Sequence, residues 1–188
     1  MLAQRKLAPL SRLSAGAIVA RVVHGLRMEG GLGRYQSIGE TPGFTRALAA
    51  VVAELRLARL TSDAISKVAP DLMQLTEAYE AALAEAELAD WPSVLNLATE
   101  AASGQAGALR LIKLPMLLLD VPITSEAELA FLNALAAAAP DTLATVPAAD
   151  RPTLDRIRDE LHWQFENLDC SGFGLDVNGR SRQWRSGC

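Results

Sequence analysis

The sequence has few of the residues that form metal sites or disulfide frameworks. Its 188 residues include two cysteines, Cys170 and Cys188, and aromatic residues make up only 5% of the chain. Neither cysteine has a second cysteine or a histidine at the spacing that zinc sites use. The cysteines therefore predict neither a bound metal nor a structural disulfide.

A long hydrophobic run is also lacking. The longest apolar stretches, such as AFLNALAAAA, stop well short of the roughly 18 to 20 residues that span a bilayer. Near the N-terminus the apolar pattern is interrupted by Arg21 and is not followed by a clean cleavage site. These features predict a cytoplasmic protein with no membrane partner.

Lysine is scarce, and its positions exclude two kinds of site. None of Lys6, Lys67 and Lys113 follows a glycine, so the chain has no Gly-Lys-Ser/Thr loop to hold a nucleotide's phosphates. None has an acidic residue two positions earlier, so the Asp/Glu-x-Lys pair of restriction-type nucleases is absent. We therefore expect no cofactor, no catalytic residue and no enzymatic activity from this chain alone.

Alanine and leucine dominate the composition, and half of the residues are hydrophobic. Such a composition is typical of helices packed closely through small side chains. The length suits one domain, which we place at residues 1–168. Residues 169–188 lose all periodicity, contain four glycines and are predicted to be a flexible tail.

Apolar residues spaced three and four positions apart predict five to six helices. Thr41 is expected to cap the second of them, with Pro42 at its first position. The buried stripe of this second helix is predicted to contain Phe44, Leu48, Val51, Val52 and Leu55. The predicted helices cover about residues 11–28, 40–60, 70–88, 92–102, 125–139 and 152–168.

The pattern changes near residue 115, where two short apolar runs flank a helix that begins with the capping box Ser125-x-x-Glu128. A strand, a helix and a second strand predict a parallel pair at about 115–121 and 142–147. Two strands make a small sheet with open edges. The helices at 44–60 and 71–88 are expected to cover its apolar face only in part, so the chain should be marginally stable or self-associating.

Charge is distributed unevenly along the chain. Residues 1–67 contain ten Lys or Arg and four Asp or Glu, whereas residues 68–150 contain two and twelve. The basic part could bind a phosphate backbone weakly and without sequence preference. Arg21, Arg34 and Arg46 are the candidate DNA contacts. The alternative, which the absence of interleaved aromatics favours, is that these arginines lie on solvated faces or contact the acidic part.

Four segments together resemble a known family. They are GRYQSIGETPGFTRALAAVVAELRLARL, LTEAYEAALAEAELAD, LLLDVPITSEAELAFLNAL and LATVPAAD, in that order. They resemble the helicase-like region of AddB-type and RecB/RecC-related helicase–nuclease subunits, whose fold is similar to UvrD/Rep-type superfamily I helicases. The resemblance implies an α/β, predominantly helical fold that is part of a P-loop-helicase-like domain. It also places Asp120 at the magnesium-binding position and Asp150 in a later motif.

The sequence departs from the active family at these positions. An active helicase follows its magnesium-binding aspartate with a glutamate that polarises water, but here Val121 and Pro122 follow Asp120. The phosphate loop is missing as well. Asp120 is therefore interpreted as a degenerate position or a structural strand end, and no metal is predicted.

Two functional hypotheses follow. The first is a non-catalytic fragment of a helicase–nuclease subunit that processes DNA double-strand ends for recombinational repair. As a scaffold or DNA-channel surface, it would contact DNA and other regions or subunits of the complex. The second is a stand-alone helical domain that binds a protein through uncovered apolar surface and does not bind DNA. Steep salt dependence of DNA affinity would favour the first hypothesis.

Overall fold

The computed structural model describes residues 2–104, 113–161 and 163–164. Two short 3-10 turns lie at Ala3–Arg5 and Gly33–Tyr35. In chain order the other elements are β1 (Ala8–Pro9), α1 (Arg12–Met28), α2 (Pro42–Leu57), α3 (Ser62–Val68), α4 (Pro70–Glu85), β2 (Leu88–Ala89), α5 (Trp91–Ala102), β3 (Met116–Leu119), α6 (Glu126–Ala138), β4 (Thr142–Thr145) and α7 (Arg151–Asp159).

Most of the helices begin at a polar side chain that accepts a hydrogen bond from the first turn. The residues that do so are Ser11, Thr61, Asp90, Ser125 and Asp150. The predicted capping box at α6 is present, with both of its hydrogen bonds formed. Thr41 lies at the predicted cap position of α2, but its hydroxyl donates to the carbonyl of Ile38 instead.

The first core lies among α1, α2 and α4. Its buried residues are Val19, Val23, Leu32, Leu48, Val52, Leu75, Tyr79 and Leu83. Val51 was predicted to be buried with this group but is 38% exposed. Successive residues of an α-helix point in different directions, so Val51 lies at the edge of the stripe that contains Leu48 and Val52. β1 and β2 form a parallel pair of two residues each.

The second core is formed by β3, β4, α6 and α7. β3 and β4 are parallel and adjacent, with Met116 opposite Thr142 and Leu119 opposite Thr145, as the strand–helix–strand pattern predicted. Leu118 packs against Ile123, Leu129, Leu132 and Ile157. The helices at 44–60 and 71–88 were expected to cover this sheet, but the helices that cover it are α6 and α7. The short connections after each strand place these two helices directly on the sheet.

The last predicted helix is shorter than expected. It was predicted over 152–168, but α7 ends at Asp159, after which Leu161 and Trp163 pack against the second core as an irregular segment. Leu161 and Trp163 therefore contribute to the core by tertiary packing and not as part of a helical stripe. The remaining positions of that stripe, Phe165 and Leu168, and the predicted tail at 169–188 lie outside the described residues.

The architecture belongs to a predominantly helical α/β class, as predicted. It is not a P-loop helicase domain, because the two parallel pairs form separate two-stranded sheets among the described residues. α5 packs against α6 and so connects the two cores. Within the described ranges no helix is both long enough and apolar enough to cross a membrane.

Candidate functional site: an exposed apolar sheet face

One face of the β3–β4 pair is apolar and open to solvent. Leu117, Leu119 and Leu143 are 56%, 63% and 64% exposed. Register partners in a sheet project to the same side, and Leu117 is paired with Leu143 and Leu119 with Thr145. We call these four residues, Leu117, Leu119, Leu143 and Thr145, the outer face. It contains no charged side chain.

Two further exposed apolar residues flank the outer face. Leu114 precedes β3 and Val121 follows it, and both are exposed. Other exposed apolar residues, such as Met28 and Val68, lie on separate helices far along the chain. Single exposed apolar side chains are normal, but a cluster on adjacent strands marks an interaction surface more often.

Asp120 closes the end of the β3–β4 pair. Its backbone has a φ of 49°, in the left-handed region that aspartate tolerates better than most residues. Its N–H donates to the carbonyl oxygen of Thr145 at 3.0 Å, and its Oδ1 accepts from the Thr145 hydroxyl at 3.0 Å. The carboxylate at the predicted magnesium position is thus hydrogen-bonded to the neighbouring strand.

Replacing Asp120 by alanine should lower the free energy of unfolding by about 1–2 kcal/mol, because alanine disfavours a left-handed backbone and lacks the acceptor for Thr145. Asparagine tolerates that backbone and keeps an acceptor, so Asp120→Asn should lie within about 0.5 kcal/mol of the wild type. Urea denaturation measures both.

The purified chain should also show no magnesium-dependent ATP hydrolysis. Turnover that disappears in Asp120→Ala would contradict the structural role.

Asp150 has a comparable structural role. It is the N-cap of α7, and its Oδ1 accepts from the backbone N–H of Thr153 at 3.2 Å. The hydroxyl of Thr153, itself buried, accepts from the backbone N–H of Ile123 at 3.0 Å. In the part of the chain that the structure describes, no three His, Cys, Asp or Glu side chains are grouped to hold a metal ion.

The three candidate DNA contacts differ in their surroundings. Arg34 donates through Nε to Asp71 at 2.9 Å, and its backbone N–H donates to the same oxygen. The hydrogen bond with Asp71 raises the pKa of Arg34, and the same interaction lowers the pKa of the Asp71 carboxyl. Arg21 and Arg46 are exposed on α1 and α2. Arg34 is therefore engaged in an ion pair, whereas Arg21 and Arg46 are exposed.

Ion pairs join the basic segment, residues 1–67, to the acidic segment, residues 68–150, and so neutralise part of the charge of each. Arg5 pairs with Glu100, Arg34 pairs with Asp71, and Arg56 pairs with both Glu80 and Asp90. Each pair joins a basic residue of the first third to an acidic residue of the segment that follows. This pattern agrees with the alternative that the arginines contact the acidic part.

Asp90 and Arg56 form a largely buried polar cluster. Asp90 accepts hydrogen bonds from Arg56 Nε at 3.1 Å, from the Tyr79 hydroxyl at 3.3 Å and from both the backbone and the hydroxyl of Ser93. Burial and the nearby Asp90 carboxylate raise the pKa of the Tyr79 hydroxyl above its ordinary value. Glu80 also binds Arg56.

Two residues of this cluster, Arg56 and Glu80, line an open cleft of about 540 Å³, together with Arg59 and Glu100. Glu100 is paired with Arg5, and Arg56 is paired as described above. The cleft therefore presents mainly neutralised charge, which is typical of structural ion pairs. The cluster was not predicted from the sequence, although Asp90 directly before Trp-Pro-Ser is a recognisable helix-start pattern.

Glu128 is the acidic half of the capping box on α6. It accepts hydrogen bonds from the backbone N–H groups of Thr124 and Ser125 and from the Thr124 hydroxyl, at 2.7 to 3.0 Å. Burial acts to raise the pKa of Glu128, but these hydrogen bonds together outweigh burial, and the pKa is lowered.

A carboxyl group whose pKa is lower in the folded state stabilises the fold above its unfolded pKa of about 4.3, and that stabilisation is lost as the pH falls through the folded pKa. Glu128→Gln should therefore be less stable than the wild type at pH 6, and the difference should shrink by pH 3. Ser125→Ala should lose about 1 kcal/mol at both pH values. Urea denaturation of the three proteins tests this. A difference for Glu128→Gln that grows toward low pH would contradict the assignment.

Comparison of the chain with profiles of known protein families, with curated proteins and with solved structures finds no match.

Proposed function

We propose that this chain is a non-catalytic docking module, a helical scaffold that presents the outer face to a protein partner. The observation that supports this proposal is the exposure of Leu117, Leu119 and Leu143 side by side on a parallel pair. Parallel sheets are generally covered on both faces. Here α6 and α7 cover one face, and the other is available to a partner.

Burial of the exposed leucines can offset the free-energy cost of association with a partner. Full burial of a leucine contributes about 1.5–3 kcal/mol, so covering three leucines that are already partly buried would contribute roughly 3–5 kcal/mol from this side. The partner's own apolar surface would add a similar amount. Association costs at least about 4 kcal/mol in lost translational and rotational freedom. The balance suits a reversible interaction better than a permanent one.

The resemblance suggests a setting for this module. We propose that the chain contributes a scaffold to a helicase–nuclease subunit that processes DNA double-strand ends for recombinational repair. The hydrogen bonds of Asp120 and Asp150 fit a non-catalytic role in that setting, because each carboxylate at a family motif position has a structural partner. The neighbour would be another protein surface of the same assembly.

Site-specific photocrosslinking in the native host cell tests the docking role. A photoreactive amino acid placed at Leu143 should give a discrete crosslinked product, and Leu119→Asp in the same chain should abolish it. The matched control is the same amino acid at Met28, which is 72% exposed on α1. If Leu143 and Met28 give the same products, or Leu119→Asp changes nothing, the outer face is not a docking surface.

DNA contact is a second candidate function. Arg21 and Arg46 are exposed, and no ion pair to either is found among residues 2–104, 113–161 and 163–164. They lie on α1 and α2, which pack against each other. Such a pair could make two phosphate contacts, which would be weak and independent of sequence.

If Arg21 and Arg46 both contact phosphates, replacing both by alanine should weaken DNA binding and reduce the slope of log affinity against log salt by about 2. Arg34→Ala should change the slope little, because Arg34 is engaged with Asp71. Fluorescence anisotropy with short duplex and single-stranded DNA over a salt series measures this. Unchanged binding in the triple alanine variant would reject all three residues as DNA contacts.

A further inference from the structure

We propose that Arg59 and the polar face of α5 form a binding site for a small zwitterion, a ligand of the amino acid or short peptide class whose carboxylate binds Arg59. The site shares no residue with the outer face, so the proposal goes beyond the docking function. It is supported by the position of Arg59, by a guanidinium that has no partner among the described residues and by the polar groups that line the same cleft.

Arg59 lines two open clefts at the junction of the two cores. The first is the cleft of about 540 Å³ described above, which residues of α5 also line. The second, of about 480 Å³, is lined by residues of α6 and by the segment that follows α7. Both volumes fall in the range of small-molecule sites, which often lie where structural units meet.

The guanidinium of Arg59 differs from those of the arginines around it. Three of the acidic residues that line the two clefts are already bound by other arginines: Glu80 by Arg56, Glu100 by Arg5 and Glu126 by Arg156. The fourth is Glu160. In the part of the chain that the structure describes, no ion pair joins Arg59 to any of them. The N–H donors of Arg59 are therefore available to a ligand.

α5 contributes acceptors for the other end of the ligand. The Thr99 hydroxyl donates to the carbonyl of Leu95 at 2.8 Å, and the Ser103 hydroxyl donates to the carbonyl of Thr99 at 2.9 Å. Because each hydroxyl has a single donor, both oxygens face a ligand as acceptors. The half-buried Asn96 lines the same cleft, and its amide can both donate and accept, as a peptide group requires.

The charges of the first cleft favour a zwitterion over a phosphate or a simple cation. Its charged lining residues sum to zero, since they are Arg56, Arg59, Glu80 and Glu100. A planar guanidinium binds a carboxylate through two parallel hydrogen bonds. A phosphate dianion would place a second negative charge beside the two glutamates, and one available arginine cannot neutralise it. A ligand with one carboxylate and one ammonium adds no net charge.

The backbone at Arg59 would suit glycine better than arginine. Its φ is 52°, and two hydrogen bonds end α2 there: Arg59 N–H to the Arg56 carbonyl at 3.1 Å and Leu60 N–H to the Leu55 carbonyl at 3.3 Å. They are the two bonds of a Schellman motif, whose positive-φ residue is usually glycine. The arginine side chain is thus present at a conformational cost, which fits a functional role. Arg59→Gly should remove the guanidinium without harming the fold.

NMR titration of the isotope-labelled full chain with L-alanyl-L-alanine tests the proposal. The dipeptide should shift the Nε–H signal of Arg59 and the side-chain amide signals of Asn96. We expect a dissociation constant on the order of a few millimolar, because the ligand is small and the cleft is open. Acetate, inorganic phosphate and ethylammonium each supply only one kind of charge and should bind more weakly than the dipeptide.

Four variants locate the binding groups. Arg59→Gly should weaken binding of the dipeptide by at least about 10-fold, while its urea midpoint should be no lower than that of the wild type. Arg59→Lys keeps the charge but not the planar fork and should weaken binding less. Asn96→Ala should also weaken it. The matched control is Arg151→Ala, which removes an exposed arginine that lines neither cleft and should bind like the wild type.

Two results would overturn the site: no signal shifts with the dipeptide, or equal affinity of Arg59→Gly and the wild type. Phosphate or ethylammonium that binds as tightly as the dipeptide would overturn the zwitterion as the ligand class. The docking function is tested separately, since the crosslink from Leu143 should persist in Arg59→Gly whatever the titration shows.

Discussion

Replacing Asp90 by alanine should lower the free energy of unfolding by about 3–5 kcal/mol, the range for removing one partner of a buried ion pair. The side chains of Arg56 and Asp90 are 13% and 8% exposed. The substitution leaves Arg56 without its buried partner, removes the acceptor for the Tyr79 hydroxyl and removes the cap of α5. Urea denaturation at neutral pH measures the loss.

Two control variants separate the contributions at this cluster. Asp90→Asn keeps a cap acceptor but removes the charge, so its loss should lie between those of the wild type and Asp90→Ala. Glu80 binds the same arginine, but its side chain is 50% exposed, and Glu80→Gln should change stability by less than about 1 kcal/mol. Equal losses for Glu80→Gln and Asp90→Ala would show that burial does not determine the energetics here.

Replacing Gly33 by alanine should destabilise the fold by at least about 1–2 kcal/mol. Gly33 has a φ of 52°, which costs an alanine about 1–2 kcal/mol. An added Cβ would lie 2.4 Å from Oδ1 of Asp71, so the carboxylate would have to move away. Moving it breaks its hydrogen bonds to Arg34. The loss of these surface hydrogen bonds adds to the backbone cost.

A double-mutant cycle with Asp71→Ala checks the physical reason for the Gly33 effect. With the Asp71 carboxylate removed, Gly33→Ala should retain only the backbone contribution of about 1–2 kcal/mol. The matched control is Gly43→Ala, because a Cβ at Gly43 meets no atom within 4 Å. An equal effect of Gly33→Ala in both backgrounds would show that the steric contact with Asp71 is unimportant.

The sequence predicted best where several local rules agreed. The Ser125-x-x-Glu128 box, the apolar helix after it and the proline-bounded strands all favoured the same strand–helix–strand unit, and the structure has it. α3 was not predicted, because seven residues give too little periodicity, although Thr61 caps it. β1 and β2, at two residues each, have no periodic pattern at all.

The candidate sites depended on contacts between distant residues, which no local pattern reveals. The partner of Asp120 is Thr145, twenty-five positions away, and the partner of Arg34 is Asp71, thirty-seven positions away. The exposure of the outer face could be expected in outline from a two-stranded sheet. Which helices cover the other face of the sheet could not be predicted, because it depends on where the short connections after β3 and β4 place α6 and α7.

Because β1 pairs with β2, the N-terminal segment can complete its native contacts only after β2 has been synthesised. Ala8 pairs with Leu88 and Arg5 pairs with Glu100, so the segment around β1 lacks these partners until residues 88 to 100 have been synthesised. α1, α2 and α4 can associate earlier, and they shorten the loop that remains to be closed. The N-terminal segment should therefore join the fold late. A nascent chain released before residue 88 would carry it unprotected from proteases.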